Sequence, residues 1–301
     1  MVAHVVYTIV FIPYRQQKRE TMYYSSICSI FKNEAQYMRE WIEYHLMIGF
    51  EHFYLYNNFS SDNYREVLLP YIDSGVVTLT EWPVKYGQNS AYEDCIKKYK
   101  EESKWIAFLD IDEFVCPRTE TNIRTWLQRF ERYPAVKIYW MMFGTNGIVK
   151  DCPDKLVIEQ YTCSWEKLRV TGKFIWNTDF EPQGISPHHI ICKYNLGWMK
   201  FHLPLINETC HFVGFANAEK IPHTNTIQLN HYWSKSISEY IHKINKGDVL
   251  SEKNERERLN LDFFYWHENR NVREEKTIYR FLAQLKVRMG DVNLRFDSNP
   301  R

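Results

Sequence analysis

From residue 25 to 142, short runs rich in β-branched and aromatic residues alternate with stretches of helical periodicity, and this alternation limits the fold more than any other feature. Ser25–Phe31 (SSICSIF) reads as a strand. Asn33 then caps a helix carrying Tyr37, Met38, Trp41, Ile42 and His45 at three- and four-residue spacing, closed by Gly49. Glu51–Tyr56 and Val76–Trp82 read as the second and third strands, with a helix over Asp62–Ile72 between them. A helix from about Ser90 to Glu102 leads to the fourth strand, Trp105–Leu109, and one near Asn122–Arg132 to the fifth, Val136–Phe143. Strands separated by helices of this length need crossovers, so the pattern predicts βαβ units and an α/β fold on a mainly parallel sheet. Ligands of such sheets bind beyond the carboxyl ends of the strands, which directs attention to the residues just after each strand.

Beyond residue 144 the pattern loosens. Gly, Pro, Asn and His recur up to about residue 230 (GTNG, CPD, EPQGISPHH), as expected for the floor and walls of a second subsite. Ser236-Ile237-Ser238-Glu239 is a capping box that opens a helix with Ile237, Tyr240, Ile241 and Ile244 on one face and Gly247 at its end. The charge-rich stretch after 251 keeps helical spacing (Ile278, Phe281, Leu282, Leu285) and predicts solvated helices.

Composition excludes several classes. With 38 Lys and Arg against 37 Asp and Glu, the chain lacks the positive face on which nucleic-acid binding by bulk electrostatics depends. Seven scattered Cys without a C-x-x-C argue against a disulfide framework or structural zinc and for a reducing compartment. The longest apolar run, Val2–Pro13, would span only ~18 Å as a helix against a hydrocarbon core of roughly 30 Å. A cytoplasmic protein, soluble or held peripherally at a membrane, is expected. Aromatic residues make up 16% of the chain, enough for a core of bulky rings or a groove that stacks flat ligands.

The sharpest chemical feature is Asp110-x-Asp112 at the end of WIAFL, followed by Glu113. Two carboxylates one residue apart can converge on one cation, and hard oxygen ligands suit Mg²⁺ or Mn²⁺, which in turn bind a diphosphate. The plain alternative is a solvated turn. The first strand runs out into Lys32-Asn33-Glu34 and the second into Asn57-Asn58-Phe59-Ser60-Ser61-Asp62. Short polar side chains there can hydrogen-bond a base and ribose, and helix N-termini favour phosphates, although the same residues are also common in turns.

These segments resemble glycosyltransferase family 92 and its family-2-like bacterial relatives. The likeness runs from about residue 23 to 246, through FKNEAQYMREWIEYHLMIGFEHFYLYNNFSSDN, LLPYIDSGVVTLTEWP, QNSAYEDCIKKYKEESKWIAFLDIDEFVCP, Phe143–Gly147, Ser186-Pro187-His188 and Asn230–Ser236. It implies a GT-A-type, Rossmann-like sheet flanked by helices, with an irregular acceptor side and a helical C-terminus. It also implies a nucleotide-sugar donor, UDP-linked with galactose as first choice, and Mn²⁺ or Mg²⁺ on the Asp pair. The domains expected are an arm or strand over 1–22, a catalytic domain over 23–250 and a helical extension over 251–301. The catalytic domain divides into a nucleotide-sugar half (23–143) and an acceptor half (144–250).

Matched position by position, the resemblance gives Glu34 and Asn58 to the nucleotide pocket, with Asp62 ending the same run, and Gln88 to ribose or acceptor. Phe59 stands where relatives usually carry a small residue, often Gly. Asp110 and Asp112 become the metal-binding pair, His231 a third metal or phosphate ligand, Lys235 a neutraliser of phosphate charge, and His188 a contact to phosphate, metal or acceptor. Of the neighbours His188 and His189, which face opposite ways in a strand, one is expected to reach the site. An inverting transfer needs a base opposite the leaving group, and Asp179 and Glu181 lead, with Glu166 next; retention is the other outcome. Trp165, Trp176 and Trp198 are candidates to stack on a sugar, against simple core packing.

The expected partners are therefore a nucleotide sugar and a glycan or glycolipid acceptor. The competing readings are a non-catalytic sugar- or nucleotide-binding module of the same fold and a metal-dependent phosphotransferase of the haloacid-dehalogenase type. The latter needs its nucleophilic Asp after the first strand rather than the fourth.

Overall fold

The computed structural model describes residues 21–196, 199–213, 221–222, 225–246 and 260–290. The expected arm over 1–22 falls almost wholly outside them, as do Trp198 and the helix stop at Gly247.

The alternating segment folds as expected. Strands β1 (Tyr23–Phe31), β2 (His52–Asn57), β3 (Val77–Glu81) and β4 (Ser103–Phe108) are linked by helices α1 (Ala35–Met47), α2 (Tyr64–Asp73) and α3 (Gln88–Tyr99). The four strands lie side by side in the order β3-β2-β1-β4, all parallel. Strands β1, β2 and β4 are almost wholly buried because helices cover both faces, which accounts for runs such as WIAF and FYLY that do not alternate. Two apolar layers result. Trp41, Ile42 and Phe53 belong to the layer that α1 covers, and Tyr92, Cys95 and Phe108 to the layer under α3.

Three strands of this eight-stranded sheet escaped the sequence reading: β5 (Glu113–Pro117), β8 (Gly172–Asn177) and β12 (Ile227–His231). The chain leaves β4 through the Asp110–Asp112 turn directly into β5 (Glu113–Pro117). A short helix α4 (Ile123–Leu127) then precedes β6 (Ala135–Met142). Strand β8 (Gly172–Asn177) inserts between β4 and β6, antiparallel to both. Gly172 permits this, since a Cβ there would come within 1.9 Å of the Ile138 carbonyl oxygen. The sheet ends with β12 (Ile227–His231), parallel to β6, and β5, antiparallel to β12. It is thus the mainly parallel, helix-flanked sheet expected, with β8 and β5 reversed.

The looser region supplies α5 (Val157–Gln160), β7 (Cys163–Trp165) and a separate antiparallel sheet of β9 (Pro182–Ser186), β10 (His189–Leu196) and β11 (Met199–Pro204). Helix α6 (Ile237–Lys246) starts where the capping box put it, with the Glu239 N–H donating to Ser236 Oγ at 3.2 Å. Helix α7 (Leu261–Glu268), β13 (Asn271–Glu274), which pairs with β7, and α8 (Leu282–Met289) complete the described chain. No helix among the described residues is long and apolar enough to cross a membrane.

One start differs from expectation. Asn33 does not cap α1; it takes a left-handed backbone (φ 52°) and accepts a hydrogen bond from the Ser61 N–H (2.7 Å). The cap comes from the neighbouring loop, where Asp62 Oδ2 accepts from the Ala35 N–H at 2.8 Å.

Candidate functional site

Strand direction gathers the charged residues at one edge. Strands β4, β6 and β12 all end there and β5 begins there, so the register sets His231 opposite both Glu113 and Met142. The Tyr232 N–H donates to the Asp112 carbonyl (2.9 Å), tying the end of β12 to the turn after β4. Asp112 Oδ1 lies 3.4 Å from His231 Nε2, and Asp112 Oδ2 accepts a hydrogen bond from Lys243 Nζ of α6 at 2.8 Å. Burial alone would raise the Asp112 pKa, but the Lys243 ammonium and His231 hold it well below the usual carboxylate range.

Asp110 is held differently. Its Oδ1 accepts from Gln88 Nε2 (3.0 Å), and its Oδ2 lies 2.8 Å from Lys173 Nζ, a fully buried ammonium on β8. Lys173 also lies 3.9 Å from the equally buried Glu113. Burial opposes its charge, yet Asp110 and then Glu113 keep its pKa above that of a free lysine. Burial pushes Glu113 the other way for a carboxyl, well above its ordinary range, against the pull of Lys173 and with repulsion from Asp110 and Asp112. Glu113 Oε1 accepts from Trp140 Nε1 (2.7 Å), and the rings of His231 and His188 pack on the same indole at 4.6 and 5.0 Å. His188 Nδ1 lies 3.0 Å from the Gly172 carbonyl oxygen, so it carries the proton there. Burial lowers the His231 pKa against the pull of Asp112, which favours a neutral imidazole.

A cavity of about 450 Å³ opens next to this cluster, between the loops after β1 and β2 and the segment that includes α6. Asn33, Glu34, Asp62, Lys235, Lys243 and Lys246 line it. Glu34 pairs with Lys246 and lies 3.6 Å from Lys235; burial would raise its pKa, and the two ammoniums bring it below its ordinary value. Lys235 sits 3.8 Å over the Tyr37 ring. The second carboxylate oxygen of Asp62 is buried without a partner. Three non-glycine residues in left-handed backbone surround this region: Asn33 (φ 52°), Phe59 (φ 58°) and Lys235 (φ 51°). Phe59 thus keeps a backbone that glycine favours. Strain of this kind concentrates at functional sites.

The structure brings Asp110, Asp112, His231, Gln88 and His188 into one cluster, and Glu34, Asp62 and Lys235 onto one cavity wall. Asn58 serves as a tie, its Nδ2 donating to the carbonyls of Trp82 and Val84, both at 2.8 Å. Asp179 and Glu181 are not brought to the site. Because β8 is reversed, Trp105 pairs with Asn177, and the loop after β8 emerges where β4 begins, at the opposite edge of the sheet. There Asp179 pairs with Lys104 and Glu181 with Lys100. Glu166 is exposed in the turn after β7, and Trp176 is core, fully buried with its Nε1 bonded to the Phe180 carbonyl. Trp165 packs edge-on against Trp266.

Lys173, Lys243 and Lys246 were missed. Lys173 had a signal, as the lone charge between apolar neighbours in GKFIW. Lys243 and Lys246 share one helix face, which in the sequence looks like ordinary solvated polarity.

Among the described residues no three His, Cys, Asp or Glu form a ready metal cage. The donor chemistry still suits a hard divalent ion. Asp112 Oδ1 and His231 Nε2 lie 3.4 Å apart, a spacing at which both can ligate one ion. The Asp110 side chain remains one-third exposed beside them.

An open, mainly parallel sheet with a cavity at its carboxyl edge is the architecture of α/β proteins that bind ligands beyond the ends of their strands. The chain belongs to glycosyltransferase family 92, whose model matches residues 22–286. It is similar to a glycosyltransferase family 92 protein of Oryza sativa subsp. japonica, 30% identical over 155 residues, which cover 50% of this chain and 26% of that protein. It is also similar to the galactan beta-1,4-galactosyltransferase GALS2 of Arabidopsis thaliana, 30% identical over 143 residues, 44% of this chain and 27% of that protein. The matched segments therefore make up only about a quarter of these relatives' own lengths. Among solved structures, S. aureus TarS 1-349 aligns over 52% of this chain and 47% of its own at 15% identity, with a TM-score of 0.35.

Proposed function

We propose that this protein is a metal-dependent glycosyltransferase that moves a hexose, galactose in the first instance, from a UDP-linked donor to a hydroxyl of a glycan or glycolipid. One observation carries the reading: Lys243 both lines the cavity and bonds Asp112, so the carboxylate couplet and a cavity of nucleotide size meet at the carboxyl edge of the sheet. Family membership and the similarity to a galactan galactosyltransferase support the choice of reaction and sugar.

Asp112 and His231, with Asp110 beside them, would hold Mn²⁺ or Mg²⁺, which neutralises charge on the departing nucleoside diphosphate. The chain's own groups do the rest. Lys173 and Gln88 fix the Asp110 carboxylate, and the ammoniums on the cavity wall attract the diphosphate. Asp62, which lines the cavity, would accept a hydrogen bond from a base N–H or a ribose hydroxyl. With Asp179 and Glu181 at the far edge, an inverting transfer draws its base from another residue or from the acceptor's own surroundings.

The test is turnover of UDP-, GDP- and CMP-sugars with Mn²⁺, repeated with EDTA and with Asp112→Asn. UDP-sugar turnover that falls at least about 100-fold in both controls is expected. Tight binding without any turnover would favour the binding module, and cleavage of simple phosphate esters the phosphotransferase.

A further inference from the structure

We propose that Lys243 is an exchangeable counter-ion: with the donor site empty its ammonium holds Asp112 in place of a divalent ion, and on loading it moves to the diphosphate. The inference rests on the donor reading above and concerns a residue outside the motif that carries the family resemblance.

Three observations lead to it. Lys243 Nζ is anchored by two bonds, to Asp112 Oδ2 at 2.8 Å and to the Trp233 carbonyl at 3.0 Å, and its side chain is only 26% exposed. Lys243 lines the cavity, whereas Asp112 and His231 do not, so the ammonium stands at the boundary between ligand space and the couplet. The helix that carries it is clasped to the donor side: Lys246 pairs with Glu34, Lys32 Nζ donates to the Lys246 carbonyl (2.8 Å), and Gln36 bonds Glu239 (3.0 Å).

Charge balance then sets the order of events. Asp112 cannot remain buried without a cation, and Lys243 supplies one in the empty site. A divalent ion held by Asp112 and His231 shares that carboxylate with the ammonium, repels it and weakens its bond to Oδ2. Once displaced, the ammonium has lost its carboxylate and lies on a wall that already holds Lys235 and Lys246, where a diphosphate restores neutrality. Lys173 does not share this role, since it is fully buried behind Asp110 and does not line the cavity. Metal and nucleotide should accordingly bind with positive coupling, each assisting the other through one side chain.

The experiment uses the full chain and two probes, Mn²⁺ alone (titrated by electron paramagnetic resonance) and UDP at saturating Mn²⁺ (by calorimetry). Lys243→Met should bind Mn²⁺ at least about fivefold more tightly than wild type and UDP at least about tenfold more weakly. Lys104→Met, at the opposite edge of the sheet, should leave Mn²⁺ affinity within about twofold and so control for general loss of positive charge. Lys243→Arg should restore part of the UDP affinity. Unchanged or weaker Mn²⁺ binding by Lys243→Met overturns the exchange, as does unchanged UDP affinity. A wild-type chain that binds Mn²⁺ and UDP while Lys243→Met shifts neither removes this inference alone. A wild-type chain that binds neither removes the donor reading with it. Should Lys243→Met lose its cooperative thermal transition, Lys243→Gln gives the same contrast with the polarity kept.

Discussion

The two edges of the central sheet carry the same kinds of residue and use them oppositely. At the amino-terminal edge of β4, Lys104 pairs with Asp179 and Lys100 with Glu181 in partly or largely exposed positions. At the carboxyl edge, Lys173 and Lys243 meet Asp110, Glu113 and Asp112, with Lys173 and Glu113 fully buried. Water screens the first set, so each pair contributes little to stability. The second set is dehydrated, and each charge depends on a partner in the protein. Ion pairs alone therefore do not mark a site; buried ion pairs beside a cavity do.

The contrast is broken most directly by deleting one cation at each edge. Lys173→Met should cost about 3–5 kcal/mol in urea unfolding, because it leaves Asp110 and Glu113 uncompensated in the interior. Lys104→Met should cost no more than about 1 kcal/mol. Equal costs would show that the edges do not differ in kind.

Acid tests the interior as a whole. Burial holds His45 and His267 each at about 3, far below an unfolded imidazole. The unfolded chain takes up protons below pH 6.5 that these folded imidazoles refuse, so their contribution is lost as pH falls from 6.5 towards 3. Burial lifts Glu40 to about 7, and the folded chain therefore binds that proton first. Its contribution is full below about 4.5 and is lost as pH rises through 7. Between pH 7 and pH 5 the imidazoles cost about 2 kcal/mol each and Glu40 offsets about 2, while His52, held at about 4 by burial, adds to the loss measurable in urea. A gain in stability over that window would contradict the burial of both imidazoles.

Smaller effects sharpen the picture at single positions. Phe59→Gly should stabilise by up to about 1 kcal/mol in thermal unfolding, as relief of the left-handed backbone exceeds the added chain entropy. Smallest of all, Asp179→Asn and Glu181→Gln should leave turnover within about twofold of wild type and stability within about 0.5 kcal/mol. A large loss of turnover in either would return the catalytic base to the far edge.

What could be read in the chain follows the same physics. The parallel strands were legible because apolar runs and helical spacing alternate without interruption, and Asp110, Asp112 and His231 because they sit in a recognisable ordered set. Strand β5 was not, because the acids of Asp110–Glu113 look like a turn running on. Strand β8 lies in a Gly- and Asn-rich stretch, and its direction is set by packing between β4 and β6. That reversal also explains where two candidate acids lie: chain order puts Asp179 and Glu181 after Asp110-x-Asp112, but a strand running backwards delivers them to the opposite edge. A lysine on a helix face or in a short strand carries no mark of burial, so Lys243 and Lys173 emerge only in three dimensions.

The central claim, that the carboxyl edge receives the diphosphate, is tested most directly by a crystal structure determined with UDP and Mn²⁺. The account predicts the diphosphate against Lys235 and Lys243, with the ion between Asp112 and His231. Nucleotide density beside Lys104 and Asp179, or a filled cavity in which Lys243 still bonds Asp112 and no ion is present, would contradict it.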